Sequence, residues 1–198
     1  MNLQSQPNPD AALPAERPSS MEERLAFQSR YVLVFGEIDD KMALTTCRRL
    51  LALSEQSDAP ITLLVSSPGG HVESGDAIHD VIRFVRAPVT TVGTGWVASA
   101  GTHVFLAASR ERRLCLPNTR FMIHQPGGGA GGPATDIAIQ AKEILRTRER
   151  IAKVISKQTG QTLQKVLTDM ERDFWMSAEE AIGYGLVSKI IESSRELG

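Results

Sequence analysis

A chain of 198 residues that is 41% hydrophobic and 23% charged, with a formal net charge of -1, can bury one good core and offers no electrostatic footprint for nucleic acid or an anionic membrane. No apolar run reaches membrane-spanning length, and the N-terminus lacks the basic-then-apolar order of a secretory signal. Cys47 and Cys115 lie far apart with no Cys-x-x-Cys, so both read as free buried thiols in a reducing cytoplasm.

Residues 1–20 are dominated by Asn, Gln, Ser, Pro and Ala and read as a disordered or processed leader; residues 21–198 read as one domain. Met21 to Arg30 suits a short helix, and the apolar run Tyr31 to Phe35, closed by Gly36, reads as a buried strand. Asp39 and Asp40 favour a helix start, and Leu44, Cys47 and Leu51 mark an apolar stripe that continues towards Ser57. The pattern then repeats. Ile61 to Val65 is a second buried strand, Ser66 to Gly70 a tight loop, and Ala77, Ile78, Val81, Ile82 and Val85 the inner face of a helix. Val89 to Gly93 is a third strand, so strand and helix alternate as in parallel βαβ units of an α/β domain.

Two short strands, Arg113 to Leu116 and Arg120 to Ile123, flank the turn Pro117-Asn118-Thr119. The segment Gly127 to Gly132, interrupted only by Ala130, is costly to order and reads as mobile or held by a partner strand. Helical spacing runs from Thr135 to Gln158 through Ile137, Ala141, Ile144, Arg148, Ile151 and Ile155, with Gly160 as the stop. A short helix over Leu163 to Met170, a capping box at Ser177 opening a helix that stops at Gly185, and a strand over Val187 to Ile191 complete the chain.

The chemistry points to Gly95-Trp-Val-Ala-Ser-Ala-Gly101. A serine between small residues, after a strand and before a helix, can expose its hydroxyl while the following N–H groups face a substrate oxygen. Ser99 is therefore the candidate nucleophile, although the heptapeptide alone favours the reading of a small serine that lets a helix pack closely on a sheet. The esterase elbow Gly-x-Ser-x-Gly does not fit, because Val97 occupies the place of its first glycine. Among the histidines, His124 ends a strand just before a breaker and leads as the base, ahead of His71 in its loop. His103 and His79 sit in helical patterns and read as packed or partly buried. No His-Glu-x-x-His or Walker-type motif is present, so the sequence calls for no metal and no cofactor, and any ATP dependence must come from another chain.

Several ordered motifs resemble the ClpP family, the proteolytic subunits of the Clp protease. They are Phe35-Gly36, Ser67-Pro68-Gly69-Gly70, Ala98-Ser99-x-Gly101, Cys115 to Asn118, Met122 to Pro126, Ala134 to Ile137, Glu171-Arg172-Asp173 and Ala181 to Val187. The resemblance implies a crotonase-like α/β fold with repeated ββα/βαβ units and a helix-strand handle over about 125–160. It implies a serine endopeptidase with Ser99 as nucleophile, His124 as general base and Asp173 as the orienting carboxylate. The N–H groups of Gly70 and Ala100 match the oxyanion hole, and extended substrate would lie along Gly69 and along Gly127, Gly128 and Gly129. It further implies heptameric rings stacked as a tetradecamer, with or without a sister ClpP subunit. A ClpX- or ClpA-like AAA+ unfoldase would feed it unfolded polypeptides in the cytoplasm. A catalytically quiet ring subunit is the alternative function, and an acyl-CoA enzyme on the same fold has no use for an ordered Ser99, His124, Asp173 set.

Overall fold

The computed structural model describes residues 21–129 and 131–197, so the leader expected over residues 1–20 lies outside the described residues. Helix α1 (Met21–Gln28) leads into β1 (Tyr31–Phe35), α2 (Asp40–Gln56), β2 (Ile61–Ser67), α3 (Val72–Phe84) and β3 (Val89–Ala98). Then come α4 (Ala100–Phe105), β4 (Arg113–Cys115), β5 (Arg120–Ile123), the long α5 (Ala134–Thr159), α6 (Leu163–Asp169), β6 (Phe174–Met176), α7 (Ala178–Tyr184) and β7 (Lys189–Ile190). The strands form one seven-stranded sheet in the order β1-β2-β3-β4-β7, with β5 on β3 and β6 on β5. Every pairing is parallel except β5 with β6. This is the α/β architecture that alternating strands and helices predict.

Local chemistry sets the boundaries. Asp39 accepts a hydrogen bond from the Met42 N–H and starts α2, Ser177 and Glu180 close a reciprocal capping box on α7, and α5 stops at left-handed Gly160. Two sequence expectations are corrected. The buried stripe of α2 is Ala43, Thr46, Leu50, Leu53 and Ser54, while Leu44 and Leu51 are exposed, because α2 packs on α3 through the neighbouring stripe. β1 is covered on one face only: Val32 and Val34 are buried and Leu33 and Phe35 exposed.

β3 is the axis of the site. It runs five residues past Gly93, the end read from sequence, and changes partner on the way: Thr91 to Gly93 pair with β4, and Trp96 to Ala98 pair with β5. Gly95, in the left-handed region at φ +60, lies inside the register shift against β2 where that change occurs. The first half of α5 stands clear of the core. Ile137, Ile139 and Leu145 are exposed, and burial begins only at Ala152 and Ile155. Among the described residues, no helix is long and apolar enough to cross a membrane.

Candidate active site

Ser99 occupies the single residue between β3 and α4, and its backbone is strained, at φ +55 and ψ -121. A non-glycine residue in such a region costs about 1–3 kcal/mol and persists only when its surroundings dictate it. Here they do. The Ser99 N–H donates to the Met122 carbonyl at 3.0 Å, and Thr102 Oγ1 donates to the Val97 and Met122 carbonyls at 2.8 Å each. Gly101 admits this elbow, since a Cβ there would stand 3.1 Å from the Ser67 Cβ and carbonyl on β2.

His124 follows the last residue of β5 and comes to Ser99 because β5 pairs with the extended end of β3. Its Nε2 lies 2.7 Å from Ser99 Oγ, and its Nδ1 lies 3.0 Å from Asp173 Oδ1. The carboxylate accepts the Nδ1 proton, which leaves Nε2 as the acceptor for the serine hydroxyl. Asp173 reaches the histidine through β6, a strand the sequence reading missed. The antiparallel register pairs Phe121 with Met176 and Ile123 with Phe174, so the next rung sets His124 opposite Asp173. The aromatic pair Phe174-Trp175, followed by Met176, was the available signal.

The loop after β2 supplies the remaining geometry. The Ile38 N–H donates to the Gly69 carbonyl and the His71 N–H to the Ile38 carbonyl, both at 2.8 Å. The trans peptide between Gly69 and Gly70 therefore turns the Gly70 N–H away from Ile38. Gly69 must be glycine. At φ +100, a Cβ would stand 2.6 Å from Ser99 Cβ and 3.0 Å from the Ala100 nitrogen. Ala100 begins α4 directly after Ser99, where the first N–H groups have no intrahelical acceptor. A small pocket beside Ser99 and His124 is walled by Val72, Ala100, His103, Ile123, Pro126, Ile151 and Ile155. Gly127 and Gly129 have open space around them, and Gly128 leans towards Ile144.

The other three histidines are not brought to Ser99 Oγ. His71 hydrogen-bonds Ser74 and lies near Asp40 and Glu73. His79 and His103 are both buried and stack on each other. Burial, reinforced by the neighbouring His103 charge, pulls the His79 imidazole down to about 4, so it is neutral and its Nδ1–H donates to the His103 carbonyl at 2.9 Å. Cys115 is buried in β4 and its thiol is pushed up to about 12 by desolvation, which makes it inert. Among the described residues, no group of three or more His, Cys, Asp or Glu could hold a metal ion.

A strained serine at a strand end, bonded to a histidine that a carboxylate orients, places the chain among the serine hydrolases. A family model described as Clp protease matches residues 15–194, and the chain belongs to that family, as a serine peptidase of the Clp type. The ATP-dependent Clp protease proteolytic subunit 2 of Gluconobacter oxydans is 59% identical over 181 residues, 90% of this chain and 81% of that protein. Subunit 3 of Rhizobium etli is 49% identical over 197 residues, covering 100% of both chains. The solved structure of ClpP1 from Listeria monocytogenes superposes with a TM-score of 0.81 at 46% identity, covering 90% of this chain and all 100% of that one.

Proposed function

We propose that Ser99, His124 and Asp173 cut peptide bonds in unfolded polypeptides by acyl transfer. Ser99 Oγ attacks the carbonyl while His124 Nε2 takes its proton, and Asp173 holds the imidazole in that tautomer and balances its charge. The N–H groups of Gly70 and Ala100 receive the oxyanion. His124 returns the proton to the departing amine, and a water activated by the same nitrogen releases the acyl group. Substrate backbone lies extended between the Gly69 loop and Gly127 to Gly129, bonding main chain to main chain.

The observation that carries this reading is the unbroken relay from Ser99 Oγ through His124 to Asp173, at 2.7 Å and 3.0 Å. A quiet ring subunit would have no use for the strain stored at Ser99. We extend the proposal to assembly: heptameric rings stacked in pairs enclose the sites, and a separate AAA+ ATPase threads substrate to them in the cytoplasm. The names of the relatives, proteolytic subunits of an ATP-dependent protease, support that division of labour. The test is a fluorophosphonate probe combined with peptide hydrolysis. The wild type is labelled at Ser99 and cuts; Ser99→Ala does neither while assembling normally. Peptide hydrolysis retained in Ser99→Ala refutes the assignment.

A further inference from the structure

Helix α4 has six residues, too few to fix its own direction, so its neighbours decide where Ser99, just before it, and Ala100, its first residue, are placed. One link to the nucleophile is direct: the His103 N–H donates to the Ser99 carbonyl at 3.2 Å. His103 is itself held from α3 in three ways. Its buried ring stacks on His79 with centroids 4.3 Å apart, its carbonyl accepts from His79 Nδ1 at 2.9 Å, and its Nε2 lies 2.9 Å from Asp76 Oδ1. One residue before Asp76, Gly75 brings α3 close to the start of α4, where an added Cβ would stand 3.3 Å from Ala100 Cβ.

Asp76 also faces α5. Arg150 Nη1 and Nη2 donate to its two oxygens at 2.7 Å each, and such a bidentate pair fixes orientation as well as distance. Burial alone would raise the Asp76 carboxyl, but hydrogen bonds and charge from His103 and Arg150 carry it well below the usual carboxylate range, so it is an anion that accepts from both neighbours. Arg150 stands where α5 stops being free. Ile137, Ile139 and Leu145 before it are exposed, Ala152 and Ile155 after it are buried, and Ile151 and Ile155 stand beside Ser99 and His124. We propose that Asp76 is a positioning residue for the nucleophile: accepting from His103 on α4 and from Arg150 on α5, it locks the Ser99 elbow to the root of the long helix, so that the seating of α5 sets the placement of Ser99 and Ala100. Taking Arg150 away removes both of its bonds to Asp76 and loosens the anchor of α4, and a shift of about 1 Å at a reacting group costs on the order of a hundredfold in rate.

The inference rests on Ser99 as nucleophile, and the experiment separates the two. The assembled wild type is compared with Asp76→Asn, Arg150→Met, Arg150→Lys, the double variant Asp76→Asn with Arg150→Met, and the control Lys153→Met, whose ion-pair partner Glu149 lies on α5 itself. A fluorophosphonate counts reactive serines, and peptide hydrolysis is read per reactive site beside inhibition by a peptide boronate, which forms a tetrahedral adduct on the serine. Asp76→Asn lowers kcat about tenfold, leaves KM within about twofold and weakens the boronate as much as it lowers kcat. Arg150→Met lowers kcat about fivefold, and Arg150→Lys recovers part of that, since an ammonium is no match for a bidentate fork. The double variant is no worse than Asp76→Asn, because both changes cut one link. Lys153→Met equals the wild type. An unchanged kcat per site in Asp76→Asn, a loss carried only by KM or by the number of reactive serines, or an additive double variant overturns the inference alone. Labelling and cleavage that survive Ser99→Ala overturn the nucleophile and the inference together. Should Asp76→Asn fail to assemble, Arg150→Met, at an exposed position, decides by the same measures.

Discussion

Gly69→Ala is the sharpest perturbation the site offers, because the added methyl meets Ser99 itself. Its Cβ would lie 2.6 Å from Ser99 Cβ and 3.0 Å from both the Ala100 nitrogen and the Ala98 carbonyl, so backbone must move. Overpacking of this kind costs about 1–3 kcal/mol, and a side chain at φ +100 adds a further ~1–3 kcal/mol. A domain holds about 5–15 kcal/mol, so the variant folds, but with lowered stability. The elbow yields by the order of 1 Å, enough to misplace the nucleophile and one oxyanion donor and to cost about a hundredfold in kcat. The assay is peptide hydrolysis per fluorophosphonate-reactive site, beside urea unfolding. Gly183→Ala is the control: Gly183 lies within α7 with nothing within 4 Å of an added Cβ, and the change should stabilise by up to about 1 kcal/mol without altering kcat. A Gly69→Ala enzyme with wild-type kcat would refute the claim that this contact positions Ser99.

Asp173→Asn keeps shape but loses the tautomer of His124, and kcat should fall by about 10⁴ in the peptide assay with unfolding unchanged. His79 titrates near 4 when folded against an ordinary 6.5, so below pH 6.5 the unfolded chain takes up a proton the folded one refuses. Stability therefore falls by about 1.4 kcal/mol per pH unit down to about pH 4, roughly 3 kcal/mol in all. His79→Phe should remove that slope in denaturant unfolding followed across pH. Amides over residues 134–146, where Ile137, Ile139 and Leu145 are exposed, should exchange fast in the dissociated chain and slowly after assembly.

A strand end before a breaker made His124 the leading candidate base in the sequence, whereas the small-residue turn around Ser99 read more readily as packing until the family resemblance singled it out. Asp173 was legible only through family resemblance. A strand of three residues is too short to show a period, and the pairing that delivers Asp173 links positions 49 apart in sequence. The α2 stripe failed for a different reason. Periodicity gives the spacing of a helix face but not its phase, and two stripes one residue apart satisfied the same pattern until α3 selected one. Likewise, helical spacing placed His103 in a helix correctly, but its ties to Asp76 and Arg150 depend on α3 and α5 meeting there.

The short β6 ties the carboxylate of the site to the rim of the sheet. Among the described residues it pairs with β5 alone, through three residues of the only antiparallel ladder, and Asp173, just before it, lies 3.0 Å from His124 Nδ1. Releasing those few rungs would take the orienting carboxylate from the serine–histidine pair and would also draw Met176 and Phe174 out of the core they pack into. Local opening of a three-residue ladder costs less than global unfolding. The position of the base's carboxylate is therefore tied to the packing of this margin, at a distance along the chain from the nucleophile.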